Sequence, residues 1–574
     1  MRAAPTGRGF KRVAALAATA TAFASTAGVD ERPPASAQPR PHDAGTIQPP
    51  VRPARRTSPP LPPEALTRNG FVSVQVNVDA AGNNVVGDAA NEPSLAVDPT
   101  NPNRCVIGWR QFDSVESSFR EAGFGWSDDG GRSWTFGGVL VEDSFRTDPV
   151  IDVDVDGNFY YHSLVGEAFN QCDVSKSQDA GHSWLPPVYA FGGDKNWMMV
   201  DRSPSLGRGH VYCIWREDFS CCGTATFTRS TDGAASFEPP LDVPSSPAWG
   251  TMATTADGTL YIAGVRLSNF TQFRVVRSDN ARDAAQTPAF STPVAVSLGG
   301  RFRFPGGGPN PGGALGQIWI AADSSGGATD GNLYVLCSVR PTSGGDPLDV
   351  HFVRSEDGGQ TWSEPIRVND DAAGTNAYQW FGTLAVAPGG RIDVVWNDTG
   401  VDATPSTPTL SEVRYSSSID GGRTWTPSIA VTPAFDHFLG YPQQNKLGDY
   451  YQLVSDDVGT SLAYAATFNG EQDIYFLRIG AYDCNGNGVG DDEDIAGGVS
   501  FDQNADGVPD ECQCLGDLDG DRVVGADDLE LLLAAYGSCD GQGGFAPQAD
   551  LDGDGCVALA DLSIVLTGFE TTCP

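Results

Sequence analysis

An eight-residue pattern, S-x-D-x-G-x-[ST]-W, recurs along this chain and constrains its fold more than any other feature. Complete copies stand at Ser127–Trp134, Ser177–Trp184, Ser355–Trp362 and Ser418–Trp425, with worn copies at Ser230–Phe237 and around Ser278. Such a segment suits the loop of a β-hairpin. The Asp carboxylate accepts loop amides, Gly supplies positive φ, and the Trp packs back between strands. Before each copy lie two runs rich in β-branched and aromatic residues, joined by a polar turn, at 94–110, 150–164, 198–215, 251–265, 318–339 and 384–396. A seventh pair, 452–467, is followed by the strand-like DIYFLRI and no box. Seven hairpins predict an all-β propeller of seven four-stranded blades, closed by the early run FVSVQVNV (Phe71–Val78) so that no sheet edge stays open. If 452–479 instead completes the sixth sheet, six blades result.

The boxes resemble the Asp-box of the sialidase superfamily, over roughly residues 71–480. The resemblance implies a scaffold, since in that family the box residues are structural. Family sialidases hold a substrate carboxylate with three arginines and use a Glu-activated Tyr and an Asp, but their early Arg-Ile-Pro motif is absent here. In a blade, strand-one entries and strand-two exits share the face opposite the boxes. They carry Glu92, Arg110, Arg146, Asp148, Trp197, Arg216, Trp380, Asp449 and Tyr450. Rings that stack on apolar sugar faces, alternating with charged and amide groups, suit a glycan. Arg110, Arg146 and Arg216 are the expected binders of an acidic group and Trp197 and Trp380 the stacking platforms. Glu92, Asp148, Asp449 and Tyr450 are the candidate catalytic groups of a glycoside hydrolase. A non-catalytic glycan- or protein-binding propeller is the alternative. A serine hydrolase lacks its G-x-S-x-G elbow, and six histidines leave little for a His-ligated metal centre.

Residues 1–24 read as an export signal: Arg2, Arg8, Lys11 and Arg12 precede an apolar run ending at Ala22-Phe23-Ala24. The apolar run is too short to span a bilayer and no other membrane segment is expected. Residues 25–66 read as a solvated spacer, with eleven prolines between 30 and 66. A secreted, extracellular or surface-associated protein follows, and twelve cysteines suit that oxidising setting. Six of them crowd into the tail, and the body cysteines read either as bridges or as buried thiols.

The formal charge is −37, which excludes a nucleic-acid partner for want of a basic face. From Asp483 onward, 21 acids face one base, Arg522. Asp517, Asp519, Asp521, Val523 (through its carbonyl) and Asp528 alternate as calcium ligands do, and Asp550, Asp552, Asp554, Cys556 (carbonyl) and Asp561 repeat the scheme 33 residues later. Each loop runs into an apolar helix. This paired pattern resembles a type I dockerin, placed at 514–574, which implies Ca²⁺ and a cohesin-like or cell-surface partner. Loop positions 10 and 11 are Ala526-Asp527 and Leu559-Ala560, which depart from the common Ser-Thr type. Ahead of it, at 483–513, Asp483, Asn485, Asn487 and then Asp502, Asn504, Asp506 resemble thrombospondin type 3 calcium repeats. The propeller is assigned to 67–482.

Overall fold

The computed structural model describes residues 50–343, 345–402, 408–502, 507–513, 515–519 and 523–570. The export-signal reading and the first part of the spacer lie outside the described residues, as do Asn504, Asp506, Asp521, Cys514 and Cys573.

Seven antiparallel sheets follow one another in chain order. Their innermost strands are Ala89–Val97, Arg146–Val153, Trp197–Val200, Met252–Thr254, Trp319–Ala322, Gln379–Val386 and Gln452–Ser455. Successive innermost strands contact one another in a closed ring, the last against the first. The chain is a seven-bladed β-propeller. Blade seven takes its outer strand from the start of the body: Phe71–Gln75 pairs with Asp473–Gly480 through Ser73↔Leu477, Val74↔Phe476 and Gln75↔Tyr475. The Val76 amide extends the ladder to the Ile474 carbonyl at 2.8 Å. The pairing covers both edges that an open ring would expose.

All six boxes connect the third and fourth strands of blades one to six. In the first, Ser127 Oγ donates to Asp129 Oδ1 at 2.6 Å and accepts the Gly131 amide at 2.8 Å, while the Ser133 amide donates to Asp129 Oδ1 at 2.9 Å. The box Trp is a wedge between blades. Trp134 of blade one packs on Phe476 of blade seven at 5.4 Å, Trp184 on Phe124 at 5.7 Å and Trp425 on Phe352 at 5.1 Å. Gly131, at φ +90°, lies so near that a Cβ would stand 2.2 Å from the Phe476 ring, so no other residue fits there.

Residues 50–66 depart from the spacer expectation, because they lie on the propeller. Arg56–Ser58 pairs with Asn84–Val86, Leu66 is buried, and Arg52 meets Asp113, Glu121 and Asp143 at 3.0–3.3 Å. Prolines suit this course, since each removes an amide that an edge would otherwise leave unpaired.

Cys105, Cys172, Cys213 and Cys337 are buried thiols. Bridges join Cys221 to Cys222, Cys484 to Cys512 and Cys539 to Cys556. The tail holds helices at Asp491–Gly497, Ala526–Ala535 and Leu559–Thr567. The last two share a small core of Val524, Leu532, Ala535, Ala549, Val557 and Val565. Among the described residues no helix is long and apolar enough to cross a membrane.

Candidate functional site

Each innermost strand has a positive-φ residue within its first four positions or the four before it: Glu92, Asp148, Lys195, Trp249, Gly316, Phe381 and Gly448, at φ 54°, 50°, 55°, 59°, 154°, 57° and 100°. Five are not glycine, although that region costs an L-residue about 1 kcal/mol or more. The twist interrupts the pleat where the strands converge, and side chains of blades one, two, three and seven meet there. In blade one the register slips between Asn91 and Ser94.

The meeting groups form one chain of alternating charge. Arg110 Nε stands 3.2 Å from Glu92 Oε2 and donates to Asn91 Oδ1 at 2.8 Å. Lys446 Nζ joins Glu92 Oε1 at 3.3 Å to Asp449 Oδ2 at 2.9 Å. Lys195 Nζ joins the same Asp449 oxygen at 2.6 Å to Asp148 Oδ2 at 3.6 Å, and lies 4.9 Å over the Trp249 ring. Every charged side chain is enclosed, Lys195 the most accessible at 7% and Glu92 and Arg110 completely so. Burial pushes the Glu92 carboxyl from 4.5 up to about 7, against the pull of Arg110 and Lys446 and with the help of Asp449 and Asp148. Glu92 is therefore a carboxyl that both holds and yields a proton near neutrality, beside two carboxylates each fixed by an ammonium.

The sequence-expected groups divide sharply. Glu92, Asp148, Asp449 and Arg110 belong to the chain. Tyr450 stands beside it, but its hydroxyl donates to the Pro149 carbonyl at 2.7 Å. Burial, with Glu92 and Asp148 nearby, holds that phenol well above its usual range. A nucleophilic phenolate needs the reverse, so Tyr450 acts as a strut between blades seven and two. The expected arginine trio is spent internally: Arg110 on Glu92, Arg146 on Asp173 at 3.2 Å and Ser163 at 2.9 Å, and Arg216 on Asp194 at 3.2 Å and Asp218 at 2.9 Å. Nor do the two tryptophans offer a face. Trp197 meets Trp319 at 5.2 Å and Tyr450 at 5.6 Å edge to face. Trp380 is fully enclosed against Phe381 and His437, with its indole N–H on Ser411 Oγ at 3.1 Å. Both pack the interior where stacking on a sugar was expected.

Lys195, Lys446 and Trp249 are the members that residue-type reasoning passes over. The available signal is positional: Lys195 and Trp249 stand two and three residues before their inner strands, and Glu92 and Asp148 within the first four residues of theirs.

In the tail, carboxylate oxygens of Asp517, Asp519 and Asp528 lie within 4.8 Å of one another, and so do those of Asp550, Asp552 and Asp561. Asp528 also accepts the amides of Leu518 and Gly525, both at 2.6 Å, and Asp561 those of Leu551 and Ala558 at the same distance. The two units thus share one local geometry. Burial and the neighbouring Asp561, Asp554 and Asp550 raise the Asp552 carboxyl. The Asp483 loop is arranged differently. Asp491 pairs with Arg132 of the first box at 2.8 Å, and Asn485 and Asn487 both donate to Asp494 at 3.1 and 2.6 Å. Asp502 accepts the Gly507 amide at 2.9 Å.

No family model and no curated protein matches this chain. Among solved structures, a protein of unknown function from Dyadobacter fermentans is similar at 15% identity and TM-score 0.41, over 71% of this chain and 98% of that one. A Hadza microbial sialidase aligns at 14% and TM-score 0.37, over 68% and 66%. A phage phi92 endosialidase aligns at 9% and TM-score 0.39, over 72% and 69%.

Proposed function

We propose that the propeller is a glycoside hydrolase of neutral glycans, with its chemistry at the axial charge chain. The observation that carries this reading is Glu92, a wholly buried carboxyl held at about 7 between Arg110 and Lys446. A general acid for a glycosidic oxygen needs a proton at neutral pH, and a partner carboxylate that stays ionised. Asp449 is that partner by position, in contact with Lys446 at 2.9 Å and Lys195 at 2.6 Å, and Asp148 lies 3.6 Å from Lys195. Neutral sugar is preferred to sialic acid because the three expected arginines already face internal carboxylates. An added carboxylate would have to displace one of those buried pairs, at a cost of several kcal/mol.

The test is a chromogenic-glycoside panel read with the wild type, Glu92→Gln and Asp148→Asn. Turnover of neutral glycosides that falls at least ~100-fold in Glu92→Gln supports the assignment. Turnover confined to sialosides overturns the substrate class. The second reading, a glycan-binding propeller without catalysis, is favoured by the enclosure of the charged side chains of the chain, none more than 7% exposed, and saturable binding without turnover would establish it.

To the tail we assign two calcium sites, at Asp517–Asp528 and Asp550–Asp561, in a dockerin-like attachment module of an exported protein. Three converging carboxylates on a tight loop supply the hard oxygens calcium prefers. Val523 and Cys556 would add carbonyl oxygens, and Asp554 a further carboxylate. The ion would neutralise the crowding that raises Asp552.

A further inference from the structure

We infer that residues 304–316 form a gate over the axial charge chain, latched by Asn310. The segment, FPGGGPNPGGALG, links blades four and five on the face opposite the boxes. It has two sides. Pro305 and Pro311 are exposed, whereas Asn310, Gly313, Ala314 and Leu315 are buried.

Its inner side is bound to 445–449, the stretch that carries Lys446 and Asp449. Asn310 Nδ2 donates to the Gly448 carbonyl at 2.8 Å and to Ala314 O at 2.6 Å, and its Oδ1 accepts the Leu447 amide at 2.9 Å. The Gly312 amide reaches Asn445 O at 2.8 Å, and the Ala314 amide donates to Asp449 Oδ1 at 2.7 Å. One oxygen of Asp449 thus holds the segment while the other holds both lysines. Release of the segment frees the first oxygen and uncovers the site without breaking an ion pair.

The glycines fit this role. A Cβ on Gly313 would stand 2.4 Å from Asn310 Nδ2, 2.6 Å from Asp449 Oδ1 and 2.7 Å from Gly448 O, so the closed contact admits only glycine. Gly307 and Gly308 adopt φ of 64° and 56°, which glycine holds with little penalty. Its apolar anchors stand at its two ends, Phe304 on the Trp249 ring at 4.4 Å and the buried Ala314 and Leu315. The stretch between them, 305–313, holds only glycine, proline and Asn310, a composition that lets it open without global unfolding. The gate rests on the reading of the axial chain as the working site, and it accounts for a site that is complete yet enclosed.

Hydrogen exchange on the full chain tests it, with Asn310→Ala and Gly313→Ala as independent ways to release the latch. Peptides covering 304–316 and 445–449 should exchange on the order of tenfold faster in each variant, with the outer strands of blades one to three unchanged. Unchanged exchange at 304–316 in both variants overturns the gate, and so does acceleration spread over all seven blades. This readout needs no substrate. Failure of the hydrolase reading would appear as absent turnover with the exchange pattern intact, whereas failure of the gate would appear in the exchange whatever the turnover.

Discussion

Replacing Glu92 with glutamine isolates the proton that the proposed chemistry requires. The carboxyl is ordinary at 4.5 in an unfolded chain and stands at about 7 in the fold. That gap is worth about 3 kcal/mol, at ~1.4 kcal/mol per pH unit. Because the folded value is the higher one, the native state binds the proton more tightly. The associated stability is present in full below pH 4.5 and is lost as pH rises through about 7. Glutamine keeps the shape and does not titrate. Its loss of charge beside Arg110 and Lys446 lowers stability, and that cost sits on top of the pH-dependent part. The quantity to measure is the stability of the wild type minus that of Glu92→Gln, by denaturant unfolding at several values between pH 4 and 8 with calcium held constant. This difference should fall by about 3 kcal/mol across the range. Asp473, which burial also raises to about 7, and Asp88, raised by burial too, titrate in both proteins and cancel. A difference flat to within about 0.5 kcal/mol would mean that the fold leaves Glu92 at its ordinary value, ionised at neutral pH, and the general-acid assignment would fall with it.

Deleting residues 67–78 should leave blade seven with three strands and produce aggregation or protease sensitivity at 452–480; unchanged melting would contradict closure by pairing. Trp134→Ala should cost about 3–5 kcal/mol in denaturant unfolding, because the ring wedges blade one against Phe476, and a loss below ~1 kcal/mol would refute the wedge. Chelation of calcium should expand the tail and expose 515–570 to protease, with Asp528→Asn and Asp561→Asn each weakening one site in calorimetry; a calcium-insensitive tail would remove the metal assignment.

The blades were legible because their signals are local. A box needs residues within eight positions, and a hairpin needs two strands and a turn, so seven sheets and their closing strand could be counted along the chain. The axial chain is legible only in fragments. Glu92, Asp148 and Asp449 stand out as acids at strand entries, but what defines them is Lys446, met 354 residues from Glu92 and three from Asp449. Trp380 shows the converse error. An aromatic at a strand entry reads as a platform, and only the packing of Phe381, His437 and Ser411 around it reveals a core residue. The prolines of 50–66 mislead for a related reason. Composition shows that they cannot build a core of their own, and is silent on an edge elsewhere that accepts them.

The seam in blade seven also decides how the molecule bears load. A pull on the tail first meets Arg132, which grips Asp491 and lies 3.9 Å over the Tyr482 ring. Beyond it, tension enters Asp473–Gly480, a strand flanked by Gly459–Ala466 on one side and Phe71–Gln75 on the other. Traction along that strand must shear two ladders at once. Traction between the two ends of the body meets far less resistance, since Ser73 pairs with Leu477 in antiparallel register and the ladder can peel from its margin one rung at a time. The same seam is strong for a molecule tethered by its tail alone and weak for one held at both ends.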